Sequence, residues 1–235
     1  MAIWKALLIV YCELDVRLSY ERWRRRHFHH VATRSEIADA VESFRAFPQL
    51  VAELTAGASW VEHAIVEVDG ILRSLTKERG PFFWPSPDDT RCELDKLAPA
   101  GSYRSIFIFW PQNDSQKRTA IPCRGWGLGM AASDWSNRAT YAVVANAPSS
   151  AWHREAPGEV WLHEWLHGVC HHFAEQGYRM PTPDADGAEV HRYKRSPTVG
   201  WTDYYRDLLT GNVMENGKLV GIPRNAWQEK PDSAV

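Results

Sequence analysis

The chain has 235 residues, 44% of them hydrophobic and 24% charged, which excludes a largely disordered polymer and allows one large domain or two lobes around a cleft. A formal net charge of −2 gives no global attraction to nucleic acid or to an anionic membrane surface. No segment reaches the roughly 20 consecutive apolar residues of a membrane-spanning helix, and four cysteines are few for a disulfide framework in a chain this long.

Lys5–Leu14, KALLIVYCEL, is rich in Leu, Ile and Val and is expected to form a buried strand. Its apolar run is short, lacks a small-residue cleavage site and meets Glu13 and Asp15 at once, so it does not read as a signal peptide. Arg17–His30 is a basic run, expected as a solvated loop or exposed helix face; a nucleic-acid site is disfavoured because the rest of the chain is not basic. Thr33 followed by Glu36 forms a capping box, and Ile37, Val41 and Phe44 then recur at helical spacing. Pro48 is expected to end that helix or open another.

Trp60–Leu72 is β-rich, with Asp69-Gly70 as a hairpin-turn signal. A Pro-rich loop, GPFFWPSPDD, leads to the buried strand Ser105–Pro111. Gly125–Met130, GWGLGM, lacks the G-x-G-x-x-G spacing of a dinucleotide site and is expected to be a turn or a backbone edge close to a cleft. Ala139–Pro148 is a further strand. Beyond a helix described below lie a Pro/Asp/Gly-rich loop at Met180–Gly187, a helix at Trp201–Leu209, a hairpin around MENGKLVG and a frayed C-terminal EKPDSAV. The 12 tryptophans are expected to fill the core and its rim, the alternative being an aromatic surface for glycan or peptide.

The chemistry concentrates in Gly158–His172, GEVWLHEWLHGVCHH, whose acid in the first turn and Gly177 beyond its end mark a helix. It contains His163-Glu164-Trp165-Leu166-His167. Residues four apart on a helix differ by about 40° around the axis and about 6 Å along it, so both imidazoles can reach one ion. Glu164 lies about 100° from His163, beside the ligands and placed to take a proton from activated water. Val160, Trp161, Leu162, Trp165, Leu166 and Val169 make this a core helix. Cys170 and His171 fall roughly 10 and 12 Å along the axis from His163, too far for the same ion. Cys170 then reads as a small core residue, and His171 and His172 as supporting or surface groups.

His163, Glu164 and His167 resemble the active-site motif of the zincin metallopeptidases. The resemblance covers the helix firmly and the rest in outline. It implies an α+β fold in which a mixed, twisted sheet packs on helices, with the H-E-x-x-H helix at the base of a cleft. That is one metallopeptidase-like domain over 1–235, with a sheet lobe at 1–176 and a smaller lobe at 177–235. It further implies a Zn2+ cofactor, a peptide or protein substrate, an exported location, and TYAVVANAP as the edge strand that holds an extended substrate. The chain departs from the metzincin pattern: the third histidine position is Phe173 and Gly168 falls two places early. It also lacks the G-T-x-D setting of the deuterolysin-like group.

A third metal ligand must therefore come from downstream. His191 is the leading candidate, since it follows a loop long enough to turn back on the helix; Glu189, Asp203, Asp207, Asp184 and Asp186 are the alternatives. The expected chemistry is peptide hydrolysis with Glu164 as general base, and Tyr193, His171 or Tyr204 as the oxyanion partner. A zinc amidase for cell-wall or small amide substrates shares this site. So does a non-catalytic module whose zinc is closed by a fourth ligand, Cys170, or whose aromatic surface binds glycans.

Overall fold

The computed structural model describes residues 2–21, 24–124, 127–146 and 156–228. β1 (Ala2–Glu21) organises the sheet because it serves three partners. Its Ala6–Val10 pair in parallel with the strand Ser105–Trp110, and its Ala2–Leu14 pair in parallel with the strand Ser59–Leu72. A strand has two edges, so these neighbours lie on opposite sides. β2 (Arg24–Val31) folds back antiparallel on Glu13–Glu21, taking the edge that Ser105–Trp110 has left. The basic run is thus a β-ribbon and not a loop or helix: Leu14, Val16 and Leu18 bury one face, while the other pairs His27 with Asp15 and His29 with Glu13. Alternation of apolar and polar residues, masked by the arginines, makes it a strand.

α1 (Arg34–Leu54) starts at the expected capping box, with Glu36 N–H on the Thr33 hydroxyl at 3.2 Å and Thr33 N–H on the Glu36 carboxylate at 2.7 Å. It does not stop at Pro48. A mid-helix proline costs about 3 kcal/mol. Phe47, Val51 and Leu54 are buried around it, each contributing about 1.5–3 kcal/mol, so packing outweighs the lost hydrogen bond. β3 (Ser59–Leu72) continues past Asp69-Gly70 without a hairpin; the two residues form an irregularity where the parallel register to β1 shifts by one, between the pairs Tyr11–Val68 and Glu13–Ile71. Gly70 instead makes room for Glu93, whose Cδ would lie 3.2 Å from a β-carbon there.

Short ladders β4 (Thr76–Lys77) with β5 (Phe83–Trp84), helix α2 (Arg91–Leu97), and β7 (Asn113–Asp114) with β8 (Thr119–Ala120) surround β6 (Ser105–Trp110). β9 (Gly127–Met130) pairs antiparallel with β10 (Thr140–Ala145), which pairs in parallel with β6. Across its middle the mixed sheet therefore runs β3-β1-β6-β10-β9. α3 (Glu159–Glu175), α4 (Thr202–Thr210) and the hairpin of β11 (Val213–Glu215) and β12 (Lys218–Val220) complete an α+β protein with four helices among the described residues. The hairpin turns as expected at Asn216-Gly217, both with positive φ.

One correction bears on function. The strand in TYAVVANAP is interior, with Thr140–Ala145 all buried. Among the described residues this side of the sheet ends instead at β9, from the GWGLGM stretch read as a turn or a backbone edge; its Gly125 and Trp126, like Ala147-Pro148 and the EKPDSAV tail, lie outside the described residues.

The sheet has two packed faces. On one, α1 and α3 cover Trp4, Leu8, Val10, Phe107 and Val144, and the same cluster continues into Tyr204, Leu208, Val213 and Trp227. Residues 177–228 thus share their core with the sheet. The other face holds Leu7, Ile9, Ile106, Ile108, Tyr141 and Val143. Of the described tryptophans, Trp4, Trp110, Trp161, Trp165 and Trp227 are core residues, Trp84, Trp135 and Trp201 are half-buried and Trp60 is exposed. The four cysteines are free, and among the described residues no helix is long and apolar enough to cross a membrane.

The buried hydroxyl of Ser105 fastens the sheet to α3. It accepts the indole N–H of Trp4 at 2.6 Å and of Trp165 at 2.9 Å, and with its lone pairs so engaged it donates to Thr140 Oγ1 at 2.6 Å. Ser105→Ala is expected to destabilise the protein by roughly 1–3 kcal/mol for each orphaned indole N–H. Urea unfolding measures this, and an unchanged midpoint would refute it.

Candidate metal centre

α3 begins where Gly158, at φ +88°, turns the chain against α1; a β-carbon there would lie 2.7 Å from Phe47 N. Glu159 in its first turn accepts the Trp201 N–H at 2.5 Å, tying the helix start to the segment before α4. The helix ends at Gly177, φ +91°, with Tyr178 N–H bonded back to Phe173 O at 3.0 Å. Trp161, Leu162, Trp165, Leu166, Val169, Cys170 and Phe173 face the core. His163, Glu164 and His167 line a cleft of about 940 Å³.

One wall of that cleft is β9. Its alternate residues are glycines because α3 lies directly on them. A β-carbon on Gly127 would come within 2.6 Å of the Glu164 carboxyl carbon, and one on Gly129 within 2.8 Å of His167 Cβ. From the helix side, a β-carbon on Gly168 would meet Met130 O and Thr140 Cβ at 2.7 Å each. Strand edge and motif are thereby held in backbone contact.

Asp186 also lines the cleft and brings a third group that could hold an ion. Among the described residues, one group of His, Cys, Asp and Glu offers three ligand atoms within 4.8 Å of one another: His163, His167 and Asp186. His163 Nε2 stands 3.4 Å from Asp186 Oδ1. Donors around a tetrahedral ion at about 2.0–2.1 Å lie roughly 3.3–3.4 Å apart; the His163–Asp186 pair already stands at that separation, and the three groups, all within 4.8 Å of one another, could hold a divalent cation such as zinc once any wider pair closes in.

His191, the leading sequence candidate, does not join them. Its ring stacks on Tyr204, centroids 6.2 Å apart and planes 7° off parallel, and its Nε2 is buried without a hydrogen-bond partner. Glu189 is exposed, Asp203 pairs with Arg206 at 2.7 Å, and Asp207 accepts from Tyr193 at 2.6 Å. Cys170 is 1% exposed in the core and supplies no fourth ligand to the group.

Each imidazole is oriented through its other nitrogen. His167 Nδ1 lies 2.8 Å from Asp184 Oδ1, an oxygen that also accepts the Ala185 N–H at 2.6 Å. A carboxylate accepts, so Nδ1 carries the proton and Nε2 is left as donor to the cleft. His163 Nδ1 lies 2.9 Å from the Tyr205 hydroxyl. Of the suggested oxyanion partners, only His171 lines the cleft, where it pairs with Glu175 at 3.6 Å; Tyr193 and Tyr204 bond to Asp207 and to the Asp184 carbonyl. Tyr205 was not foreseen, because nothing in WTDYYRDLL distinguishes it from its neighbour before α4 is docked.

Burial acts on the two kinds of group in opposite directions. It lowers His163 to about 4, with the nearby His167 adding to the effect, so this imidazole is neutral at physiological pH. It raises Glu164, 5% exposed, to about 8. His167 is pushed down by burial, but the Asp184 bond and the surrounding carboxylates outweigh that and hold its pKa above the ordinary value.

Comparison with known proteins finds no matching family model, no matching curated protein and no matching solved structure.

Gly129→Ala is expected to cost about 1–3 kcal/mol, because the new methyl overlaps His167 and the α3 backbone. Thermal unfolding of the metal-free variant measures this. Unaltered stability would mean that the helix stands off the strand.

Proposed function

We propose that this chain is a zinc-dependent hydrolase of peptide bonds. The observation that carries the proposal is the convergence of both motif histidines and Asp186 in one cleft, with Glu164 beside them and, on another wall, a strand edge that has no partner among the described residues. A mixed sheet whose antiparallel last strand lines the cleft also suits the zincin resemblance of the motif, with β9 in the part first given to TYAVVANAP.

A zinc ion held by His163, His167 and Asp186 supplies a Lewis acid and lowers the pKa of an adjacent water towards about 7. Glu164 takes a proton from the attacking water and passes it to the departing amine, so its carboxylate is restored at the end of the cycle. A dication bound there would favour the charged form of Glu164, which is the form a base needs. Asp184 and Tyr205 keep the imidazoles in the tautomer and orientation that leave one nitrogen free for the ion. β9 offers outward N–H and C=O groups to an extended chain, and its glycines hold that chain close to Glu164.

Glu164→Gln is expected to retain zinc and to lose about 10²–10⁴-fold in peptide hydrolysis, read with a peptide library and metal analysis. Full activity would remove Glu164 from this role. Asp186→Ala should lower zinc occupancy. Digestion of small amides but not peptides would move the substrate class to the amidase alternative.

Zinc uptake should also depend on pH. His167 holds its proton above the ordinary imidazole pKa, and the ion must displace that proton. Affinity therefore rises as pH increases through the imidazole range. At pH 6 both His167 and Glu164 would give up a proton, so calorimetry in buffers of different ionisation enthalpy should detect between one and two protons released per zinc; no release at pH 6 would contradict this.

A further inference from the structure

The carboxylates of the site sit on a loop of irregular backbone, Asp184 at the start of the short 3₁₀ turn Ala185–Gly187 and Asp186 within it. Asp186 is two-thirds exposed, so packing of its own side chain does not hold it. What fixes the loop is behind it. The Tyr204 hydroxyl donates to the Asp184 carbonyl oxygen. The same hydroxyl lies so close to Gly187 that no β-carbon fits, and that β-carbon would also stand 3.0 Å from His191 Cδ2. His191 N–H bonds to Gly187 O at 2.9 Å, and the imidazole then lies flat against the Tyr204 ring. Tyr204 itself is fully buried on α4, next to the Tyr205 that holds His163.

We infer that Tyr204, backed by the stacked ring of His191, is a positioning residue that sets the Asp184–Asp186 loop at the metal-binding distance from α3. This rests on the zinc reading above and assigns a role to two residues that touch no ligand atom. Consecutive residues of one helix thereby position both sides of the site: Tyr204 the loop carrying Asp184 and Asp186, Tyr205 the imidazole of His163. The role also accounts for Gly187, where any side chain would displace the hydroxyl.

The test is zinc affinity, measured by competition with a chromophoric chelator, for the parent and three variants. Tyr204→Phe removes one hydroxyl and keeps the ring. Zinc binding should weaken by about 10-fold, the low end of what loss of an outer-shell partner costs. Tyr193→Phe removes a hydroxyl bonded to the same helix, at Asp207, and should leave affinity near the parent. His191→Phe keeps a flat ring against Tyr204 and should stay closer to the parent than Tyr204→Phe does. In the Co2+-loaded proteins, the visible spectrum should change for Tyr204→Phe and not for Tyr193→Phe, a difference that general loss of stability does not produce. Equal affinities and spectra for Tyr204→Phe and the parent would overturn the inference while leaving the zinc site standing. So would a His191→Phe protein that loses zinc altogether, because His191 would then be a ligand. A parent protein that takes up no zinc would overturn the underlying reading and the inference with it.

Discussion

The arrangement depends on backbone lying against backbone where α3 crosses β9 and β10. Helices pack on sheets through side chains that hold the two layers apart; here Gly127 and Gly129 on the strand and Gly168 on the helix remove that spacer. The motif residues consequently sit beside β9, the strand that ends this side of the sheet among the described residues, instead of a side-chain layer above it. Under the proposed function, a substrate backbone laid along that edge would come within reach of Glu164 without an extended side chain to bridge the gap. The contact ties the helix register to the strand register, so displacing one moves the other. The buried Ser105 hydroxyl, shared by Trp4, Trp165 and Thr140, holds the same helix on the sheet interior, and together they leave α3 little freedom to slide.

Placing two imidazoles and a carboxyl in such a position is costly, and the direction of each pKa shift reflects that cost. Burial moves His163 down and Glu164 up, each towards its neutral form. His167 is the exception because Asp184 faces it at 2.8 Å. A site left in this condition is destabilised relative to one where the groups are exposed. In the proposed zinc-bound state a cation would reverse the balance, since it would bind both imidazoles once His167 had given up its proton and would favour the charged form of Glu164. Asp184 is economical in this respect, as one oxygen satisfies the His167 N–H and caps the short turn that presents Asp186.

The parts of this structure that follow local rules were legible in the sequence. H-E-x-x-H needs only the 3.6-residue period to bring His163 and His167 together. The Thr33–Glu36 capping box, the apolar strands and the Asn216-Gly217 hairpin are equally local. What escaped is what the chain decides at long range. An apolar run such as TYAVVA reads alike at a sheet edge and in its interior, and only the arrival of β9 on its far side makes it interior. Pro48 and Asp69-Gly70 are strong local signals overruled by burial of Val51 and Leu54 and by pairing with β1. The group that joins the two histidines escaped for the same reason: imidazole is the better zinc ligand by chemistry, so His191 outranked Asp186, but the turn that begins at Asp184 brings the Asp186 carboxylate to the motif histidines and carries His191 behind it.

That turn is held from a distance. α4 is amphipathic, with Tyr204, Tyr205, Leu208 and Leu209 buried, and neighbouring tyrosines on a helix point about 100° apart, which is why one reaches the loop and the other α3. The helix is seated in turn by Trp227, whose indole donates to Leu209 O at 3.0 Å and stacks on Trp165 of α3 at 6.2 Å and 19°. The C-terminal segment therefore locks against the back of the helix whose front carries the motif. Geometry at the candidate metal centre is set by the same aromatic core that stabilises the fold, so the spacing between α3 and the Asp184–Asp186 loop is a property of core packing and not of the loop alone.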